Sequence, residues 1–274
     1  MTLLAPAGLV LAEPAPSERG LLITPPRQYL TIDPGKSTES SFTVANLTDK
    51  PMDVTLSVEQ FSVANYTYDF KFETPKEDWI KLEETKVALK KTESHTVNYT
   101  VNAPVGAKPG GHYFTLFASV DLGEDKHIRA ATVVYITASG ALTKTSSVTK
   151  TTLPWITIGG DIPISFDVQN TGNTHFLAYI SGVLRGWGPT QSSGETAHLL
   201  IPDTTRRVEG KLPGPIIPGL YKAVYGYRDE DGKDTRRSQY ILYLPPWTWV
   251  FTAGIVWFIV VFVRCKRRLW ATGS

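Results

Sequence analysis

The side chains best suited to chemistry in this chain are five histidines (His95, His112, His127, His175 and His198), one cysteine (Cys265) and the acidic run Asp229-Glu230-Asp231-Gly232-Lys233-Asp234. A zinc site needs several such ligands at short fixed spacing, and the chain has no His-x-x-x-His pair and no carboxylate set spaced to join one. The acidic run begins like a calcium loop but lacks the later bidentate acid that closes one, so it reads as the acidic tip of a hairpin. No Gly-x-Ser-x-Gly elbow, phosphate loop or Gly-x-Gly-x-x-Gly turn into a helix occurs. Three Asn-x-Thr triplets, at Asn46, Asn65 and Asn98, match the glycosylation acceptor, a pattern too short to weigh in a Thr-rich chain. The residues predict a non-enzyme without catalytic set, metal or cofactor, one that works by binding.

Two side chains are candidate ligand contacts. Trp187 sits in Arg185-Gly186-Trp187-Gly188-Pro189, where two glycines and a proline break strand pairing. Its indole either stays accessible for a sugar ring or an apolar partner, or folds back over a core. Arg27 follows Pro25-Pro26. It is either an edge-strand charge that discourages aggregation or a guanidinium placed to hold a partner's carboxylate.

The elements that position these residues are strands. Alternation marks Leu30-Thr31-Ile32 before the turn Asp33-Pro34-Gly35, then residues 42–44, 52–58, 67–73 and 97–101. In residues 67–73 the alternation puts Tyr68, Phe70 and Phe72 on one face, expected to be core. A pair at 113–120 and 129–137 flanks the charged turn 123–126 as a hairpin. Seven or eight short strands at this spacing predict an immunoglobulin-like sandwich. After Ser139-Gly140 the grammar restarts: Phe42-Thr-Val44-Ala-Asn46 is echoed by Phe166-Asp-Val168-Gln-Asn170, and Pro109-Gly110-Gly111-His112-Tyr113 by Pro218-Gly219-Leu220-Tyr221. Repetition of whole units is more specific than any single strand. The prediction is an all-β chain, two tandem immunoglobulin-like β-sandwiches over residues 20–139 and 141–244 followed by one transmembrane α-helix.

That helix is expected over residues 247–263, a run without charge between Pro245-Pro246 and a basic tail at 264–274. At ~1.5 Å per residue it reaches about 25 Å, the short end of what crosses a bilayer. Trp247 and Trp249 suit an interfacial belt, and Arg264, Lys266, Arg267 and Arg268 place the tail on the cytoplasmic side and the bulk of the chain outside the cell. Residues 1–12 read as the end of a secretory signal peptide, or else as an apolar tail. With four of the 28 basic residues in the tail, the rest balance the 26 acidic residues to within two, which gives no footprint for nucleic acid. Cys265 falls beside the membrane, so the exterior has no disulfide and packing alone holds it.

The series Ile23-Thr-Pro25-Pro26-Arg27, Ile32-Asp33-Pro34-Gly35, Phe42-x-Val44-x-Asn46, Trp79-Ile80-x-Leu82 and Pro109-Gly110-Gly111-x-Tyr113, with a second sandwich and a C-terminal anchor, resembles the WxL-interacting surface proteins of bacteria. That resemblance implies two immunoglobulin-like domains on a membrane anchor, one associated with peptidoglycan and the other with host or partner attachment. It carries over no ligand residue. The opening segment, Arg27 included, also resembles the first strand of periplasmic pilus chaperones, which lack such an anchor. Two functions follow: a single-pass bacterial surface protein for cell-wall or partner attachment, or a tethered chaperone offering an open sheet edge to an extended partner strand. The expected partners are the lipid bilayer and peptidoglycan or another surface protein.

Overall fold

The computed structural model describes residues 20–121 and 127–271, with side chains as far as Arg264. The signal-like run 1–12, the turn 123–126 and the side chains of Lys266, Arg267 and Arg268 lie outside the described residues. The chain divides into two compact units, one built from Met1–Ser62 with Lys71–Ala141 and the other from Val63–Phe70 with Leu142–Ser274. Gly140 closes the first with a positive φ of 137°, and a Cβ there would stand 2.5 Å from Pro109, so a side chain is excluded.

The first ten strands are β1 (Leu21–Thr24), β2 (Arg27–Ile32), β3 (Ser37–Asn46), β4 (Met52–Val63), β5 (Phe70–Glu73), β6 (Ile80–Leu82), β7 (Lys86–Leu89), β8 (Ser94–Asn102), β9 (Gly110–Asp121) and β10 (His127–Ala138). They form one sheet in the order β1-β3-β8-β6 and another in the order β2-β10-β9-β4-β5, with β7 on β4. Alternation along each strand sends Phe42, Val44, Val97, Leu116 and Ile136 into the core between the sheets, where Trp79, just before β6, joins them. Trp79 is almost completely buried, its indole N–H donating to Glu77 Oε2 at 2.8 Å.

Unit 2 repeats the plan with β11 (Ser146–Thr152), β12 (Ile156–Ile158), β13 (Ile162–Asn170), β14 (Phe176–Arg185), β15 (Gln191–Ser192), β16 (Thr196–Leu200), β17 (Thr205–Leu212), β18 (Gly219–Asp229) and β19 (Asp234–Leu244). Its sheets run β11-β13-β17 and β12-β19-β18-β14-β15, with β16 on β14. Phe166, Val168, Leu184, Val208 and Tyr221 fill its core.

Three local expectations are corrected. Residues 67–73 are not one strand: Tyr66 and Tyr68 take positive φ, 69° and 63°, and only β5 pairs. Phe70 and Phe72 are exposed, while Tyr68, in unit 2, accepts the Ile201 N–H at 2.7 Å and lies 3.0 Å from Thr204 Oγ1. Tyr113 and Tyr221 are not equivalent. Gly110 and Gly219 both open their strands, but Tyr113 stands three residues on and Tyr221 two, so the extra residue turns Tyr113 to the opposite face. The inward place is taken by His112, stacked on Trp79 at 4.0 Å. Finally, α1 runs Trp247–Ala271, past Val263 and through the basic cluster, because Arg and Lys are good helix formers and nothing there breaks the helix. It is the one helix among the described residues long and apolar enough to cross a membrane.

Candidate functional site

The site begins with two prolines. Pro25 and Pro26 have no N–H to give a ladder, so the strand cannot run unbroken through them. Before them β1 pairs antiparallel with β3, and after them β2 pairs parallel with β10 in the other sheet. That pairing covers only Val133–Ala138, starting at Arg27 opposite Val133. The preceding half of β10, His127 to Thr132, pairs with β9 on one side and, among the described residues, with no strand on the other.

Which backbone groups face that free flank follows from one bond. Val133 N donates to Pro26 O at 3.1 Å, toward β2. Alternation then turns the N–H and C=O of Arg129 and Ala131 to the same flank, and those of Ala130 and Thr132 to β9. His127, Arg129 and Ala131 are exposed, while Ile128 and Ala130 are half-buried against the core. Among the described residues the buried Thr132 Oγ1 has no hydrogen-bond partner. The side chain of Arg129 is held on the outer face, its guanidinium 3.2 Å above the Phe117 ring and paired with Glu59. The backbone flank beside it is thereby left clear.

β2 is fixed where it begins. Gln28 accepts from Tyr99 O–H at 2.9 Å and from Ser40 O–H at 3.0 Å, and donates to Ser41 O at 3.3 Å, tying β2 to the facing sheet. Burial pushes the Tyr99 hydroxyl above its ordinary range, which keeps it a donor. On the outer face Tyr29 stacks on Tyr135 at 4.9 Å. Arg27 is exposed at the end of the free flank, and its guanidinium has no hydrogen bond or ion pair among the described residues.

The other sequence candidates lie elsewhere. Trp187 is exposed in the loop after β14, its carbonyl accepting from Tyr221 O–H at 2.8 Å, so the indole does not cover the second core. Trp247 and Trp249 are exposed on the first turn of α1, and Arg264 is exposed near its far end. The histidines are not brought together: His95 meets Glu84 at 3.1 Å, His127 meets Asp121 at 3.6 Å, and no metal-ligating group of three forms among the described residues. In the acidic run Asp229 Oδ1 accepts the Lys233 N–H at 2.8 Å, while Glu230 and Asp231 pair with Lys144, as a hairpin tip requires. The open flank itself was missed residue by residue. The proline pair before Arg27 was its sequence signal.

No family model matches the chain, and no curated protein matches it. The resemblance to WxL-interacting proteins gains no support from these comparisons. Solved structures similar to it include the chaperone–tip adhesin complex of CFA/I fimbriae (10% identity, TM-score 0.44, covering 82% of this chain and 99% of that one). Others are the Acinetobacter baumannii CsuC–CsuE pre-assembly complex of Csu pili (13%, 0.40, 82% and 98%) and the Pseudomonas aeruginosa CupB2 chaperone (9%, 0.39, 78% and 97%). At these identities and TM-scores no partner or residue role is carried over from them.

Proposed function

We propose that this chain is a non-catalytic binding protein that captures an extended segment of a partner polypeptide along the free flank of β10, and that α1 tethers it to a membrane. The observation that carries the reading is the half-paired strand: Arg129 and Ala131 offer backbone donors and acceptors with no strand beside them among the described residues. An added strand gains main-chain hydrogen bonds there, and its alternate side chains meet Ile128 and Ala130. A segment lying parallel to β10, as β2 does, ends against Arg27. A terminal carboxylate at that point would pair with the guanidinium, whereas an antiparallel segment would bring an ammonium to it. This favours a carboxyl-terminal segment.

The tether rests on α1, whose apolar side chains are exposed on every face, with none of its most apolar window buried. A helix apolar all round needs an apolar solvent. The basic cluster after it favours a cytoplasmic tail with the sandwiches outside. The attachment reading, with peptidoglycan as ligand, has no comparable feature among the described residues and takes second place.

The test is amide exchange on the full chain in lipid nanodiscs, alone and with peptides that alternate apolar and polar residues. Free protein should exchange Arg129 and Ala131 quickly and Ala130 and Thr132 slowly. Added peptide should slow the first pair. Protection of Arg129 and Ala131 without peptide would mean that the flank is already filled.

A further inference from the structure

We propose that the end of unit 2 that leads into α1 is a bilayer-contacting rim, with Trp187 and Ile216 seated among the lipid headgroups at the surface α1 enters; this rests on reading α1 as a span. Register places the rim. Gly219 pairs with Tyr243, Ile158 with Leu244 and Arg185 with Lys222, so the loops 159–161, 186–190 and 213–218 open at the same end of the sandwich as Pro245-Pro246. No slack separates that end from α1: Thr248 N–H donates to Pro245 O at 3.0 Å and Gly159 N–H to Leu244 O at 3.0 Å. Trp247 Nε1, on the first residue of α1, donates to Ile216 O at 3.2 Å, joining the apolar helix directly to the 213–218 loop.

The rim is apolar and held in shape. Trp187 is 73% exposed and Ile216 78%, values that cost free energy in water and gain it at an interface, where indole rings settle. The buried Tyr221 hydroxyl lies 2.8 Å from Trp187 O and 2.7 Å from Ile217 O, so one group pins both loops. Gly186 permits this: a Cβ there would stand 2.5 Å from the Tyr221 ring. Exposed Arg185, Lys211 and Lys222 outnumber the acidic Asp161 at this end, which suits anionic headgroups. The opposite end carries the charged hairpin with Glu230, Asp231 and Lys233. The occupant these features fit is the surface of the same bilayer that takes the helix.

The experiment places a nitroxide label on the full chain, in a Cys265→Ser background, at Trp187→Cys, Ile216→Cys, Ile255→Cys or Asp231→Cys. Each is reconstituted in vesicles of equimolar phosphatidylcholine and phosphatidylglycerol, and accessibility to oxygen is compared with accessibility to a nickel chelate. The oxygen-to-nickel ratio at positions 187 and 216 should be several-fold above that at 231 and below that at 255. Ratios at 187 and 216 equal to that at 231, with 255 still deep, would overturn the rim while leaving the span intact. A low ratio at 255 would overturn the span and the rim with it.

Discussion

Asn46 and Asn170 make the same set of hydrogen bonds in their respective units. Asn46 Nδ2 donates to Lys50 O at 2.7 Å and to Lys90 O at 2.8 Å, while its Oδ1 accepts the Thr48 N–H at 2.9 Å. Asn170 Nδ2 donates to Thr174 O at 2.9 Å and to Leu200 O at 3.0 Å, while its Oδ1 accepts the Gly172 N–H at 2.9 Å. Each buried amide closes the loop that follows its strand and ties it to a distant segment. Replacing either by Ala should leave two carbonyls without their amide donor, buried for Asn170 and partly buried for Asn46, at about 1–3 kcal/mol. Amide exchange read unit by unit should show Asn46→Ala loosening unit 1 and Asn170→Ala loosening unit 2. A loss shared evenly between the units would count against this repetition.

Trp79→Ala should destabilise unit 1 by about 3–5 kcal/mol, since it empties a large core position and removes the ring on which His112 stacks. Urea unfolding monitored at unit 1 amides measures it. A change of less than about 1 kcal/mol would contradict the burial.

Acid should weaken unit 1 through His112. Burial lowers its pKa below the ordinary 6.5, an effect opposed by its bond to the Lys108 carbonyl and by Glu77. The unfolded chain therefore takes up the proton first as pH falls. The stability contributed by the neutral ring is complete above pH 6.5 and is lost as pH falls through the lowered folded value. Urea melts at about pH 7.5 and about pH 5 should differ less for His112→Phe than for the parent chain. An equal difference in both would assign the acid response to other groups.

The repeat was legible because Phe42, Val44 and Asn46 recur intact at Phe166, Val168 and Asn170, each type fixed by burial or by an amide bond that only its side chain makes. Less legible were features decided by register and long-range pairing. One extra residue after Gly110 turns Tyr113 to the face opposite the core, where it packs on Phe61 and Tyr135, and alternation in residues 67–73 did not reveal the positive φ at Tyr66 and Tyr68. The open flank depends on where β2 begins against β10, a pairing across about a hundred residues that periodicity does not encode.

With α1 read as a span, as proposed, the charges after it set the expected orientation. Protease added to intact cells should degrade both sandwiches and spare an epitope placed after Ser274. Replacing Arg264, Lys266, Arg267 and Arg268 together by Gln should make orientation mixed. Complete protection of the sandwiches would reverse the assignment.

The capture of an extended carboxyl-terminal segment is tested most directly by titrating the full chain in nanodiscs with one alternating apolar peptide, prepared with a free carboxylate and as the amide. The free acid should bind roughly fivefold more tightly, about the worth of one exposed charge pair, and Arg27→Gln should abolish that preference. Ala131→Pro removes the outward N–H without touching the β9 ladder, so it should weaken both peptides at least about tenfold while the melting temperature changes little. Binding unchanged by Ala131→Pro, with acid and amide equal in the parent chain, would contradict the account.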